Sequence, residues 1–220
     1  MSWRVTCIPR RFEWLKRDDG FATLVALGRC LNQLRFAMYA LGNDNEKAQS
    51  NSFDSRQATS AMFAIAAALY EGIELARRHV GKHYRGYREY GALSALWRGA
   101  NNAAFISDVK RLRDTAVSHF DPTEVRKALE TLSFADECVF VEGHESLARD
   151  LHCKLADGVA WMTYSGHHDT YEELAIHVEQ LRSTLAAMSG EFMTLADAFL
   201  GRVLSDYGFT LADDGHGGKE

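Results

Sequence analysis

The sequence predicts an all-α protein, a helical bundle of four long helices with one or two short ones. Apolar residues recur at every third or fourth position over long stretches, which is the spacing of one helix face. Only 2 of the 220 residues are proline, so long helices can continue without interruption. Hydrophobic residues make up 46% of the chain and charged residues 25%, which is typical of an ordinary globular domain.

The first long helix is predicted to follow Asp18 and Asp19 and to stop at the turn-forming residues 42–45. A second helix is expected to begin near Asp54, after a polar loop. Residues 60–70 are apolar nearly all round, so this helix is predicted to lie at the centre of the bundle.

The middle of the chain alternates between connections and helices. Residues 82–91 are basic, aromatic and interrupted by glycine, which indicates an exposed connection leading to a short helix. The third long helix is predicted from about 103 to 118. Because Asp121 is a suitable N-cap and Pro122 suits a first helical turn, a new helix is expected there.

The last third of the chain combines extended and helical patterns. β-branched and aromatic runs at 137–141 and 159–164 predict a small β-hairpin insertion between helices. Residues 169–207 have helical periodicity and form the fourth long helix. Ser189 and Gly190 mark a point where that helix can break.

We expect a single domain over residues 1–211 and a disordered, glycine-containing tail over 212–220. The N-terminus lacks the apolar run of a secretion signal, and no stretch of about 18 uncharged apolar residues occurs, so a cytoplasmic protein without a membrane segment is expected. The net charge is -5, so any binding to nucleic acid must be local rather than a property of the whole surface.

A short motif lies at the predicted end of the third helix, where Arg113 and Asp114 are followed by His119. This pattern resembles the motif of the HEPN superfamily, and the predicted bundle resembles the all-helical fold of that family. The resemblance implies a metal-independent endoribonuclease, often a toxin or defence effector, whose homodimer brings two copies of the motif into one cleft. It also raises the prospect of an antitoxin protein as a partner. Phe120 and Asp121 stand where family toxins controlled by a nucleotidyltransferase often have Tyr, so control through such a Tyr is not expected.

The residue types of the motif suit RNA cleavage without a cofactor. A neutral imidazole can accept the proton of a ribose 2′-hydroxyl near neutral pH, which gives His119 the role of acid or base. The guanidinium of Arg113 can hold the phosphate, and Asp114 can orient one of the two. On a straight helix Arg113 and His119 are about 120° apart, so they converge only if the helix ends near Ser118.

A structural role for His119 is the alternative. His119 falls seven residues after Leu112 and fourteen after Phe105, which places it on the apolar stripe if the helix continues. An Arg followed by a His at this spacing also arises by chance, since Arg77 and Arg78 precede His83 in the same way. A capping or core histidine therefore remains open.

A basic and aromatic stretch at 73–98 is the second candidate site. It has six cations against two carboxylates, and aromatic residues lie between them. Aromatic faces stack on bases and guanidinium groups bind phosphates, so the stretch predicts an RNA-binding surface, whereas a merely solvated basic face is the alternative. The predicted stacking residues are Tyr84, Tyr87, Tyr90 and Trp97, and the predicted RNA-binding residues are Arg77, Arg78, Lys82, Arg85, Lys110 and Arg111.

A third cluster, Asp169, Glu173 and His177, repeats every four residues and has the residue types of a metal site in a bundle. Such residues near a helix start also serve as cap and dipole partners, so no metal and no cofactor are predicted. The function predicted from the sequence is thus a HEPN-like endoribonuclease. A non-catalytic helical protein that binds RNA or a protein partner is the alternative, followed by a metal-dependent bundle enzyme.

Overall fold

A computed structural model confirms the all-α class. It describes residues 3–6, 13–47, 52–118, 122–130, 142–143, 151–152, 159–161 and 171–213. The part of the chain described contains four long helices: α1 (Asp19–Lys47), α2 (residues 52–84), α4 (Ala100–Ser118) and α6 (Tyr171–Asp206). The shorter helices are α3 (Arg88–Arg98) and α5 (Pro122–Glu130).

Helix α2 changes its winding near its C-terminal end. It begins as an α-helix at Ser52–Leu75, passes through a π-helical turn at Ala76–Val80 and finishes with the α-helical turn Gly81–Tyr84. Three different geometries therefore share one continuous helix over residues 52–84. The π turn lies where the sequence becomes basic.

Helix α1 starts where the sequence predicts. The carboxylate of Asp18 accepts a hydrogen bond from the amide of Phe21 at 2.7 Å, which is the contact of an N-cap. The helix continues to Lys47, past the turn-forming residues 42–45 at which a stop was predicted. These residues have low helix propensity, but none is a proline, so they do not block the helix.

Helices α1 and α2 form the most extensive helix pair, and the core lies between them and α6. Residues on the buried stripe follow the helical period, because only one face of each surface helix meets the core. The fully buried large side chains include Leu27, Leu31 and Leu34 of α1, Ile65, Leu69 and Ile73 of α2, and Phe192 and Phe199 of α6.

The segment Thr59–Tyr84 of α2 is, by length and composition, apolar enough to cross a membrane, although no such segment was predicted. Its most apolar window has a mean hydropathy of 1.2 and is 50% buried inside the protein. A central bundle helix has the same composition, so this is weak evidence for a membrane span. The central place of α2 agrees with its predicted position.

Helix α6 runs without the break that Ser189 and Gly190 suggested. Ser189 is fully buried, and Leu185 and Phe192 on either side of it are also buried. These three residues lie on the same face of the helix. An uninterrupted helix keeps that face against the core, so it buries more apolar surface than a broken one would.

Two short antiparallel strand pairs accompany the helices. Strand β1 (Trp3–Thr6) pairs with β4 (Thr210–Asp213), and β2 (Glu142–Gly143) pairs with β3 (Leu151–His152). The β2–β3 pair lies within the predicted insertion at 137–164 but not at the predicted runs.

The run at 159–164 is helical rather than extended at residues 159–161. The indole of Trp161 stacks on Phe63 at 5.1 Å, and its N–H donates to the hydroxyl of Thr59 at 3.3 Å. Residues 137–141 and 162–164 lie outside the described residues.

The two ends of the domain meet in the β1–β4 pair. Ala212 and Asp213, assigned to the tail by composition, pair with Arg4 and Trp3. The remainder of the predicted tail lies outside the described residues.

Candidate functional site

Arg113 lies near the end of α4, beside the centre of α2. Val109 and Leu112 are fully buried, so the next residue, Arg113, reaches the surface at the edge of the α2–α4 contact. Helix α4 is described to Ser118 and α5 from Pro122, close to the predicted end and start. His119 falls between these helices and lies outside the described residues.

The guanidinium of Arg113 is held by two carboxylates and an aromatic ring. Its Nη2 donates to Glu71 Oε1 at 2.5 Å and its Nη1 donates to Asp114 Oδ1 at 2.7 Å. The guanidinium carbon lies 5.0 Å from the centre of the Tyr70 ring, which is a cation–π distance. Lys110 Nζ donates to the other oxygen of Asp114 at 2.6 Å. We call these five residues the Arg113 cluster.

The ionisation of the cluster follows from these contacts. Hydrogen bonds from Lys110 and Arg113 hold the pKa of Asp114 below its usual value. Hydrogen bonds to Asp114 and Glu71 raise the pKa of Arg113. The cluster thus contains two cations and two carboxylates, whose formal charges balance. The cluster fixes the position of Arg113 and leaves no net charge.

The basic stretch forms an open pocket of about 410 Å³ at the π turn of α2. Five cationic side chains line it, and no carboxylate of the described residues does. We call it the basic pocket, and its lining residues are Arg77, Arg78, Gly81, Lys82, Arg85, Tyr90 and Arg98.

Tyr90 of α3 forms the floor of the pocket and packs against the π turn. Its hydroxyl donates to the carbonyl of Ala76 at 3.4 Å, and only 4% of the residue is exposed. A Cβ on Gly81 would overlap the Tyr90 hydroxyl, so only glycine lets the two helices approach here. π-helical turns are frequent at functional sites, and here the turn lies at the base of a cation-lined pocket.

The five cations of the pocket differ in whether a nearby carboxylate balances their charge. Glu74, whose side chain is only 14% exposed, contacts Arg77 at 2.7 Å and Arg78 at 2.6 Å. Arg85 donates to the carbonyl of Gly81 at 3.2 Å. Among the residues that the structure describes, Lys82 and Arg98 have no carboxylate partner. The pocket therefore retains an excess of positive charge.

The Arg113 cluster and the basic pocket are neighbours along α2. Glu71 binds Arg113, and Glu74 binds Arg77 and Arg78. Glu71 and Arg78 are seven residues apart on α2, so they lie on the same side of the helix, about two turns or roughly 10 Å apart along its axis. The sequence separates Arg113 from Arg78 by 35 positions, and only the α2–α4 packing brings them together.

The other predicted residues occupy different places. Lys110 belongs to the Arg113 cluster, whereas Arg111 is exposed and contacts Asp108 at 3.6 Å. Arg98 was counted in the basic stretch but was not among the predicted RNA-binding residues. It reaches the pocket because α3 folds back against α2, a contact for which the local sequence gives no signal.

The predicted stacking residues do not form an exposed platform. Tyr84 and Tyr90 are buried, and Tyr87 and Trp97 are partly buried against the core. Three of these rings, Tyr84, Tyr87 and Tyr90, make edge contacts with Phe199 of α6 at 5.8–6.3 Å. Tyr84 and Tyr90 therefore belong to the core, so the prediction of a stacking role is wrong for these two residues.

A second pocket of about 650 Å³ lies on the other side of the 85–87 turn, with lining of mixed charge. Its residues are His83, Gly86, Tyr87, Arg88, Glu89 and Arg202. Because Glu89 faces the cations here, this pocket is less positive than the basic pocket.

The structure describes only part of the third cluster. Glu173 and His177 lie on α6, and Asp169 is outside the described residues. Within the ranges that the structure describes, no group of three or more His, Cys, Asp or Glu residues could hold a metal ion.

Comparison of the chain with protein-family models, curated proteins and solved structures finds no match in any of the three.

Proposed function

We propose that this protein is a HEPN-like, metal-independent endoribonuclease that acts as a homodimer. The observation that carries the proposal is the position of Arg113, held at the protein surface by Glu71, about two helical turns of α2 from the first arginines of the basic pocket. An RNA strand bound in the pocket would present a neighbouring phosphate to Arg113. A role as a toxin or defence effector, neutralised by an antitoxin, belongs to the same proposal.

The proposed chemistry needs one proton acceptor and one phosphate clamp. His119 removes the proton from a ribose 2′-hydroxyl, and the resulting oxygen attacks the adjacent phosphorus. The 5′-oxygen leaves and takes a proton from a protonated His119, which gives a 2′,3′-cyclic phosphate and a 5′-hydroxyl end and returns the imidazole to its neutral form. Arg113 stabilises the charge that develops on the phosphate oxygens.

The contacts of Arg113 are compatible with this role. A guanidinium has five N–H donors, and the bonds to Glu71 and Asp114 account for one on each terminal nitrogen. The remaining donors are available to a phosphate. Asp114 acts as a positioning residue because it binds Arg113 and Lys110 and fixes the plane of the guanidinium.

A non-catalytic RNA-binding protein is the second candidate. The observation that favours it is the charge balance of the Arg113 cluster, because Glu71 and Asp114 already satisfy the arginine electrostatically. On this alternative the basic pocket binds RNA and the cluster has only a structural role.

The test is cleavage of mixed cellular RNA by purified protein in excess chelator. We expect cyclic-phosphate ends with the wild type and a loss of rate on the order of 10²–10⁴-fold in both Arg113→Ala and His119→Ala. Arg126→Ala, which removes an exposed arginine of α5, is the matched control and should cleave normally. Circular dichroism and light scattering establish that each variant keeps its fold and oligomeric state.

If the folded wild type binds RNA but shows no chelator-resistant cleavage, the enzyme proposal is wrong and the binding protein is favoured. The same conclusion follows if His119→Ala cleaves at the wild-type rate.

A further inference from the structure

The five cations of the basic pocket have too few acidic partners to be a purely structural ion-pair network. In such networks each cation meets a carboxylate, as in the Arg113 cluster. Here Glu74 is the only carboxylate among the described residues that contacts any of the five, and it lies behind Arg77 and Arg78 rather than in the lining. Holding Lys82 and Arg98 beside three arginines costs repulsion that an anionic ligand would relieve.

The geometry of the cations matches phosphate better than a single carboxylate. Guanidinium groups present planar forks that bind phosphate oxygens in pairs, and four of the five cations are arginines. A volume of about 410 Å³ is within the range of small-molecule sites, so more than one phosphate group fits. A ligand with several adjacent phosphates would balance the excess charge.

The pocket offers no exposed aromatic face for a base. Tyr90, which lines it, is 4% exposed and packs edge-on against Phe199 and Trp97. Recognition here would therefore depend on phosphate charge and would be insensitive to base sequence. Binding of that kind weakens steeply as salt is added.

We propose that the basic pocket is an oligophosphate-binding site that takes two or more adjacent phosphate groups through Lys82, Arg98 and the pocket arginines. The phosphates belong either to the backbone of an RNA strand or to a free oligophosphate. If the phosphates belong to RNA, this inference rests on the proposed function and identifies the residues that bind the RNA substrate. With a free oligophosphate, it stands independently of RNA cleavage.

The test measures the affinity of two probes for the full chain. The first probe is a single-stranded 2′-O-methyl RNA, which lacks the attacking hydroxyl and so cannot be cleaved. The second is inorganic tripolyphosphate. The pocket variant is Lys82→Gln with Arg98→Gln, since both side chains are exposed and glutamine is a good helix former. The control is Arg17→Gln with Arg126→Gln, which removes the same charge elsewhere.

We expect the pocket variant to lose about tenfold or more in affinity at 0.1 M salt, while the control stays within about threefold of the wild type. If RNA is the ligand, the slope of log affinity against log salt should fall in magnitude by roughly 1.4, because each phosphate contact to a single strand contributes about 0.7. Loss of tripolyphosphate binding without loss of RNA binding would identify a free oligophosphate as the ligand.

The proposal is overturned if both probes bind the pocket variant and the wild type equally well, or if neither probe binds the wild type. Thermal unfolding of the variant shows whether its fold is intact, and Lys82→Gln alone gives a second, milder variant. Because the RNA probe cannot be cleaved, failure of the cleavage assay leaves this result unaffected, and the two proposals fail separately.

Discussion

Two groups of charged side chains border helix α2, and they differ in how their charges are compensated. In the Arg113 cluster, two cations meet two carboxylates, and a chain of hydrogen bonds joins all four side chains. In the basic pocket, the five cations have one carboxylate contact among the described residues, that of Glu74 with Arg77 and Arg78. The same helix therefore carries one neutral and one strongly positive region.

The difference indicates that the two regions have different tasks. A compensated arginine is held in one orientation, which suits a group that must meet a reacting phosphate at a defined angle. Uncompensated cations attract an anion, which suits binding. On the proposed function, substitutions in the Arg113 cluster should lower kcat, whereas substitutions in the basic pocket should raise KM.

The largest effect on stability is expected from Gly81→Ala, at the contact between α2 and α3 beside the basic pocket. The new methyl group would overlap the Tyr90 hydroxyl, and the π turn would have to shift away from α3. Overpacking of this kind costs about 1–3 kcal/mol of unfolding free energy. For a chain of this size each kcal/mol lowers Tm by roughly 2–4 °C, which thermal unfolding can measure.

The control for this substitution is Gly91→Ala in helix α3. No atom lies within 4 Å of its added Cβ, so alanine should leave the stability unchanged or raise it slightly. Tyr90→Phe combined with Gly81→Ala should recover part of the loss, which a double-mutant cycle would show as coupling. Equal stability of the two alanine variants would contradict the close approach of α2 and α3.

A smaller effect is expected from the two glutamates that separate the regions. Glu74→Gln removes a carboxylate that is only 14% exposed and bridges two arginines, so we expect a loss of about 1 kcal/mol in stability. Glu71→Gln removes one that is 55% exposed, and the expected loss is below about 0.5 kcal/mol. Urea unfolding of both variants at one pH makes the comparison.

The same pair of variants sharpens the assignment of binding to the pocket. Glu74→Gln removes the acidic contact of Arg77 and Arg78, so affinity for the 2′-O-methyl RNA should rise by about threefold or more, with a steeper salt dependence. Glu71→Gln should leave that affinity nearly unchanged. Weaker binding by Glu74→Gln would mean that this carboxylate is needed to hold Arg77 and Arg78 in place.

The sequence predicts the helices well because each buries a periodic stripe. Helix α4 was expected from about 103 to 118 and is found at Ala100–Ser118, with Val109 and Leu112 in the core. The sequence reveals neither the π turn nor its contact with Tyr90 of another helix, whose hydroxyl donates to the carbonyl of Ala76. The β1–β4 pair is equally hidden, because it joins the two ends of the described chain.

The sequence predicted most residues of the candidate site but not how they are arranged relative to one another. Arg77, Arg78, Lys82 and Arg85 do lie together, but their proximity to Arg113 depends on Glu71 and Glu74, which resemble ordinary solvated helix charges in the sequence. The prediction that tyrosines stack on bases failed at Tyr84 and Tyr90 for a related reason. A tyrosine every three positions satisfies a buried helix face as well as a stacking surface, and only packing against Phe199 distinguishes the two.

The smallest effect is expected from the pH dependence of the Arg113 cluster, tested with Asp114→Asn. Hydrogen bonds from Lys110 and Arg113 lower the pKa of Asp114, so the folded state binds this proton less readily than the unfolded state. The contribution to stability is therefore complete above the ordinary aspartate pKa of about 4 and is lost as the pH falls through the lowered folded value. Because Asp114 is partly exposed, we expect only about 0.5 kcal/mol at pH 7.

Urea unfolding of the wild type and Asp114→Asn from pH 7 down to the acid limit of the fold measures this difference. It should shrink at low pH, and 0.5 M salt should reduce it at pH 7 because exposed ion pairs are screened. A difference that stays constant with pH and salt would show that Asp114 acts through neutral hydrogen bonds rather than charge. The compensation of Arg113 would then not be electrostatic, and the contrast between the cluster and the basic pocket would lose its basis.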